Sequence, residues 1–126
     1  MFREVCTTVA IACLFGCGGS GGSTGPMINN TPPPPNGISV ENNLFTPTSK
    51  TVMNGTAVVW AWNSCTDTGG YGGGQTCVSH NIVFDDGVTS GVMDQGTFTR
   101  SFPAPGTYNY HCAIHGLPMS GSITVQ

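Results

Sequence analysis

From Gly37 to the C-terminus, apolar and polar residues alternate in short runs. In Thr56–Asn63, the odd-numbered and the even-numbered side chains are both mostly apolar, with tryptophans at positions 60 and 62. Alternation with a period of two predicts β-strands. Apolar residues at odd and even positions alike predict a strand that is covered on both faces. The other runs are GISVENNLF, KTVM, HNIVF, GTFTRSF, GTYNYHC and GSITV.

Turn residues separate these runs. Asn54-Gly55 is a hairpin-type signal between two strands, and Asp85-Asp86-Gly87 ends the strand HNIVF. Strands at this spacing predict an all-β fold, a small antiparallel sandwich or barrel. At most one helical turn is expected, within Val88–Gln95. The aromatic residues predicted for the core are Phe45, Trp60, Trp62, Phe84, Phe98 and Phe102.

The composition favours one small domain and argues against some functions. The 126 residues include 3 Lys+Arg and 6 Asp+Glu, so the chain lacks the basic surface that nucleic-acid binding requires. Gly is abundant, with 19 residues, which suits short strands joined by tight turns. We expect a monomer that has no nucleic-acid partner.

The N-terminus resembles an export signal. A short start with Arg3 leads into an apolar run, Val5–Phe15, that is too short to span a bilayer. The run ends at Leu14-Phe15-Gly16-Cys17, which resembles the bacterial lipobox. The resemblance implies a signal peptide over residues 1–16 and a lipid on Cys17. An ordinary secretory signal with a chance cysteine and a buried helix are the alternatives.

Residues 17–36 are predicted to form a linker. The stretch GGSGGSTGPMINNTPPPPN combines Gly and Ser with four consecutive prolines and holds too few apolar residues to form a core. It predicts a tether between a membrane and a domain of residues 37–126. We therefore expect an extracytoplasmic protein that is lipid-anchored to a bacterial membrane, at the outer membrane or the periplasmic face.

The cysteines divide into groups with different predicted roles. They are Cys6, Cys13, Cys17, Cys65, Cys77 and Cys112. The first two lie in the segment that is removed, and the third carries lipid. Cys65 and Cys77 flank a Gly-rich loop, where a disulfide would stabilise the fold by about 3 kcal/mol; two free thiols or a metal pair are the alternatives. Cys112 remains unpaired, and a metal would explain a lone cysteine outside the cytosol.

The stretch NYHCAIHGLPMSG, residues 109–121, concentrates metal-binding side chains. Cys112, His115 and Met119 come from this one segment, and His80 is expected to start the strand HNIVF and to approach from a neighbouring strand. Two His, one Cys and a weak Met form the ligand set of blue-copper electron-transfer sites, whereas Met is a poor zinc ligand. Four protein ligands leave no open position for a substrate, so an enzyme is not expected.

Two other residues compete with this assignment. A lone Met is usually core filler, and Met93 is a second candidate for the weak axial position. His111 precedes the cysteine, as in copper nitrite reductases, where the neighbouring His binds a second copper. Along a strand, however, His111 points away from the face of Cys112, and the chain has no further His for a second centre. We expect His111 to be solvated.

The segments HNIVFDDG, PGTYNYHC, HGLPMSG and GSITV resemble the cupredoxins, the group of plastocyanin, pseudoazurin and amicyanin. The resemblance spans Gly37–Gln126 and implies an eight-strand Greek-key sandwich with one type 1 copper. It implies copper ligands at His80, Cys112, His115 and Met119, and a hydrogen bond from Asn81 that steadies the ligand loop. It also implies that His115 is the electron port. Two features depart from the family: three residues separate His115 from Met119, and the Cys65–Cys77 loop is an insertion that we expect to shape the docking rim.

The predicted function is therefore that of a blue copper protein carrying single electrons between redox protein partners, in the periplasm or at the cell surface. The alternative is a copper-binding or delivery protein without redox turnover. An enzyme subunit that uses a second copper from a partner, and a recognition module without metal, fit the ligand set less well.

Overall fold

The computed structural model describes residues 30–70 and 73–126. The predicted signal peptide and Cys17 lie outside this range, so those predictions stay untested. Within it, no helix is long and apolar enough to cross a membrane. The strands of the described residues are β1 (Ile38–Glu41), β2 (Leu44–Thr46), β3 (Ser49–Val52), β4 (Ala57–Trp62), β5 (Cys65–Asp67), β6 (Gln75–Cys77), β7 (Val83–Phe84), β8 (Thr97–Ser101), β9 (Gly106–Cys112) and β10 (Gly116–Val125).

The strands form two four-stranded sheets that pack face to face. One sheet has the order β2-β1-β4-β8 and the other β3-β10-β9-β7, while β5 and β6 form a separate hairpin. This confirms the predicted all-β sandwich. The expectation of purely antiparallel pairing is wrong for two pairs, because β1 runs parallel to β4 and β3 runs parallel to β10. Alternation of side chains is the same in both directions, so the pattern could not distinguish them.

The turn at Asn54-Gly55 has a different role from the predicted hairpin. It reverses the chain as expected, with Gly55 at φ 83° and the Thr56 N–H donating to the Met53 carbonyl over 3.1 Å. However, β3 and β4 belong to different sheets. The turn therefore carries the chain across the sandwich, because both strands bury their apolar faces between the sheets instead of pairing with each other.

The core lies between the two sheets and is built around Trp60. Its ring lies 5.5 Å from the ring of Tyr110, 5.7 Å from that of Phe84 and 5.8 Å from that of Phe98. Five of the six predicted aromatic residues are buried, and Phe98 is partly buried against them. Burying one such side chain stabilises the fold by about 1.5–3 kcal/mol.

Arg100 closes the open side of the sandwich between β7 and β8. Its guanidinium carbon lies 4.1 Å from the centre of the Phe84 ring and 4.9 Å from that of Phe102. The same group makes two hydrogen bonds to the carboxylate of Asp86, which follows β7. These bonds hold the pKa of Asp86 below its ordinary value. No pattern in the sequence predicted this link between the sheets.

The last part of the predicted linker packs on the domain. The Asn30 side chain makes two hydrogen bonds with the backbone of Cys65, and the Thr31 N–H donates to the Trp62 carbonyl over 2.8 Å. Residues 30–36 therefore form a strap on the domain. We call the end of the sandwich where β4 and β9 finish the upper end, and the strap begins there.

Candidate metal centre

The segment that follows β9 folds back as the sequence predicted. Cys112 is fully buried at the end of β9, and β10 begins four residues later, where Gly116 pairs with Cys112. Gly116 has a φ of 71°, a conformation that glycine adopts without strain. The register then shifts between Gly116 and Ser120. This irregularity returns Met119 to the interior, where it is 1% exposed.

His80 reaches the same end of the sandwich by a route that the sequence analysis did not predict. It lies outside β7, which begins only at Val83. Instead it forms an isolated antiparallel bridge with Met93, with reciprocal backbone hydrogen bonds of 2.8 and 2.9 Å. The prediction that His80 starts a strand is therefore wrong, because residues 80–82 pair with the loop that follows β7 and not with β9.

That loop also replaces the helical turn expected within Val88–Gln95. Thr89 bridges Val83, Met93 bridges His80, and the Ser90 hydroxyl accepts from the Ile82 N–H over 3.0 Å. The loop makes hydrogen bonds with the His80 segment and forms no helix. Its function in the fold is to hold the buried imidazole of His80 in place.

Three donor atoms converge at the upper end. The Nδ1 atoms of His80 and His115 are 3.1 Å apart, and the Cys112 Sγ lies 3.9 Å from the first and 3.5 Å from the second. A circle through three atoms at these separations has a radius of about 2.0 Å, close to metal–nitrogen distances of about 2.0–2.1 Å and just below metal–sulfur distances of about 2.3 Å. One metal ion therefore fits among the three atoms.

The protonation of His80 suits a metal ligand. Burial, and to a smaller extent the charge of His115, lower the pKa of His80 to about 4. The imidazole is therefore neutral at pH 7 and offers a lone pair. Its Nδ1 faces another Nδ1 and a sulfur, while its Nε2 has no hydrogen-bond partner among the described residues. A cation between the electron-rich atoms would remove their mutual repulsion.

Asn81 joins the His80 segment to the ligand loop. Its side-chain oxygen accepts a hydrogen bond of 2.8 Å from the N–H of Ala113, the residue after Cys112. This is the type of contact that the family resemblance implied. The bond fixes the distance between the strand-end cysteine and the segment that carries the distant histidine.

The two methionines and His111 are placed differently. Met119 is buried in the same hydrophobic core as Cys112, and its role as fourth ligand stays a prediction. Met93 supplies the backbone bridge to His80 and packs its side chain against the core. His111 is half-buried on the outer face of its sheet, where it lines a surface cleft with Asp85 and Asn109. His111 therefore points away from the three converging donors.

Cys65 and Cys77 form the predicted disulfide, between directly opposed residues of β5 and β6. Below the cross-link, the Ser64 hydroxyl donates to the Val78 carbonyl over 2.8 Å, and the Val78 N–H donates to the Ser64 carbonyl over 3.1 Å. His80 follows two residues later. The insertion is thus a cross-linked hairpin that ends three residues before His80, and its role in shaping a docking rim stays a prediction.

The surface over the site is apolar. His115 is half-buried, and its neighbours Ile114 and Leu117 are 49% and 77% exposed. Val92, next to the bridge residue Met93, is also exposed. Large exposed apolar side chains thus flank the half-buried His115 in the sequence and adjoin the His80–Met93 bridge.

Comparison with known proteins agrees with this geometry. A family model described as copper binding proteins of the plastocyanin/azurin family matches residues 36–126. The chain belongs to this family. The His–Cys–His cluster is the only such group of three or more metal-binding side chains in residues 30–70 and 73–126. With the family, this donor set supports one copper ion as the cofactor.

Solved cupredoxins share the fold. A reduced amicyanin variant superposes with a TM-score of 0.57 at 20% identity, covering 71% of this chain and 80% of the other. A purple cupredoxin from Nitrosopumilus maritimus gives 0.56 at 22% identity, covering 71% and 98%. A fern plastocyanin variant gives 0.54 at 25% identity, covering 71% and 99%. A comparison with curated protein sequences found no match.

Proposed function

We propose that this cupredoxin is a single-electron carrier with one type 1 copper bound by His80, Cys112 and His115 and, weakly, by Met119. The observation that carries the proposal is the convergence of two imidazole nitrogens and one sulfur around a point about 2.0 Å from each. When bound, copper in such a donor set supplies one-electron redox chemistry.

The chain contributes rigidity to this chemistry. The backbone bridge to Met93 holds His80, the Asn81–Ala113 hydrogen bond holds the ligand loop, and the end of β9 holds Cys112. Donors held by the backbone move little when the charge of the site changes, and a small rearrangement means a low barrier to electron transfer. A site filled by four protein donors also leaves no position for a substrate, which favours a carrier over an enzyme.

His115 is the proposed electron port. It is the ligand that reaches the surface, whereas His80 and Cys112 are fully buried. The exposed side chains of Ile114 and Leu117 beside it would exclude water from a contact with a redox protein. The redox protein partner and the lipid-anchored, extracytoplasmic location are part of this proposal, and the location is supported by the sequence of the first 36 residues.

The test is copper loading followed by visible spectroscopy. The full chain should bind one copper and show an intense absorption band from Cys-to-copper charge transfer. Cys112→Ser should remove the band, because a hydroxyl cannot replace the thiolate. His111→Gln is the matched control: its side chain lies next to Cys112 in sequence but on the opposite face, so the band should persist.

Two results would contradict the proposal. A band that survives Cys112→Ser would show that the thiolate is not a ligand. A colourless or loosely bound copper in the unmodified chain would support copper delivery instead of electron transfer.

A further inference from the structure

The chain enters the sandwich beside the copper site. Asn30 donates to the Cys65 carbonyl over 3.1 Å and accepts from the Cys65 N–H over 2.8 Å. Cys65 follows the upper end of β4 and is cross-linked to Cys77, three residues before His80. Asn30, the first described residue, therefore lies at the end that carries the metal donors.

The chain leaves the sandwich at the opposite end. The Gln126 N–H donates to the Val52 carbonyl over 3.0 Å, and the Gln126 carbonyl accepts from the Asn54 N–H over 2.7 Å. The whole of β10 lies between this end and the ligand loop. Because of the register shift between Gly116 and Ser120, its length is that of the paired segment of β9, the six residue steps from Cys112 to Gly106, or about 20 Å of strand. An attachment at the N-terminal side and one at the C-terminal side would thus hold opposite ends of the molecule.

We propose that the copper end of the domain faces the membrane, and that the redox partner is a protein held in the same membrane. This inference rests on the lipid anchor at Cys17 in the proposed function. Twelve residues separate Cys17 from Asn30, and a chain of that length reaches at most about 45 Å. The copper end therefore stays within that distance of the lipid, whereas an anchor at Gln126 would hold it about 20 Å farther away.

The charges favour a protein partner over the lipid surface itself. Anionic membranes attract clusters of Lys and Arg. The described residues hold one Lys and one Arg, and neither lies at the copper end. Lys50 lies beside Ala57 at the opposite end of the sandwich, and Arg100 is paired with Asp86. The copper end has no basic cluster to adsorb to lipid.

The exposed charges near the copper end are acidic. Asp67 ends β5, and Asp94 follows the bridge residue Met93. The exposed side chains of this end are therefore apolar at Ile114 and Leu117 and acidic at Asp67 and Asp94. A membrane-held protein with an apolar contact surface and a basic margin complements this face.

The test measures distance from the bilayer and needs no copper. The full chain is produced in a bacterium that processes lipoproteins and is inserted through its lipid into nanodiscs containing a gadolinium-chelating lipid. Relaxation enhancement falls with the sixth power of distance. The amides of Ile114 and Leu117 should therefore relax at least about fivefold more than those of Met53 and Gly55, given ends about 20 Å apart.

The matched control moves the anchor. Cys17→Ser removes the native attachment, and the sequence GGSGGSTGPMIN followed by one lipid-coupled Cys is added after Gln126. The gradient between the two ends should then reverse. Equal enhancement at both ends of the natively anchored chain, or a stronger effect at Met53, would overturn the proposal.

A second measurement tests electron access. A ferrocenium-bearing lipid accepts one electron from Cu(I), giving ferrocene and Cu(II), and the visible band appears. The natively anchored chain should react on the order of tenfold faster than the relocated one, while a soluble ferrocenium salt should oxidise both equally. Equal rates with the lipid would contradict the orientation. Recovery of the chain without lipid would overturn the anchor alone, because the spectrum of the same sample tests the copper site separately.

Discussion

Replacing Arg100 by Ala is expected to destabilise the domain more than any other change of a surface charge. The Arg100 side chain is only 9% exposed and joins β8 of one sheet to the end of β7 of the other. It contacts the Phe84 ring at 4.1 Å, the Phe102 ring at 4.9 Å and the Asp86 carboxylate. The substitution removes all of these contacts together, along with the packing of the side-chain stem.

The magnitude follows from these contacts. Each cation–π contact is worth about 0.5–1 kcal/mol. The ion pair contributes no more than about 1 kcal/mol, because Asp86 is 45% exposed. With the lost packing, Arg100→Ala should lower the free energy of unfolding by about 3 kcal/mol. Asp86→Asn removes the charge of the pair alone and should cost about 1 kcal/mol.

The assay is urea unfolding of the metal-free chain with its disulfide intact. Lys50→Ala is the control, since it removes a partly exposed cation and should change stability by less than about 0.5 kcal/mol. An Arg100→Ala loss no larger than that of Asp86→Asn would show that the aromatic contacts contribute nothing. The lowered pKa of Asp86 adds a pH signature: its contribution is present above the unfolded pKa and is lost as pH falls through the folded one.

Four further predictions concern the site and its surroundings. The double variant Cys65→Ser/Cys77→Ser should lose about 3 kcal/mol of stability in the metal-free form; an unchanged urea midpoint would contradict this. Met119→Leu should keep copper and raise the reduction potential, because a weak donor to Cu(II) is lost, and unchanged spectra and potential would remove Met119 from the site. Asn81→Ala should cost about 1 kcal/mol and speed copper loss; a copper off-rate equal to that of the unmodified chain would refute its positioning role. Finally, the metal-free chain should lose stability as pH falls from about 6.5 towards 4, since the unfolded chain protonates His80 first; His80→Asn should remove that part of the pH dependence.

The sequence by itself determined the chemistry and the class of fold. A Cys, two His and a Met of blue-copper type can be read directly from residues 80 and 109–121, because ligand preference depends on atom type. Alternation of apolar residues, as in Thr56–Asn63, predicts strands because it is a local property of the chain. The disulfide was predictable because Cys65 and Cys77 flank one short loop.

Only the tertiary structure decided the features that depend on distant partners. The pairing of His80 with Met93, the parallel contacts of β1 with β4 and the clamp of Arg100 on Asp86 join segments that no periodic pattern relates. The strap at Asn30 is of the same kind. Side-chain alternation shows which face of a strand is buried, but the choice of neighbour is made by the free energy of the whole packed molecule.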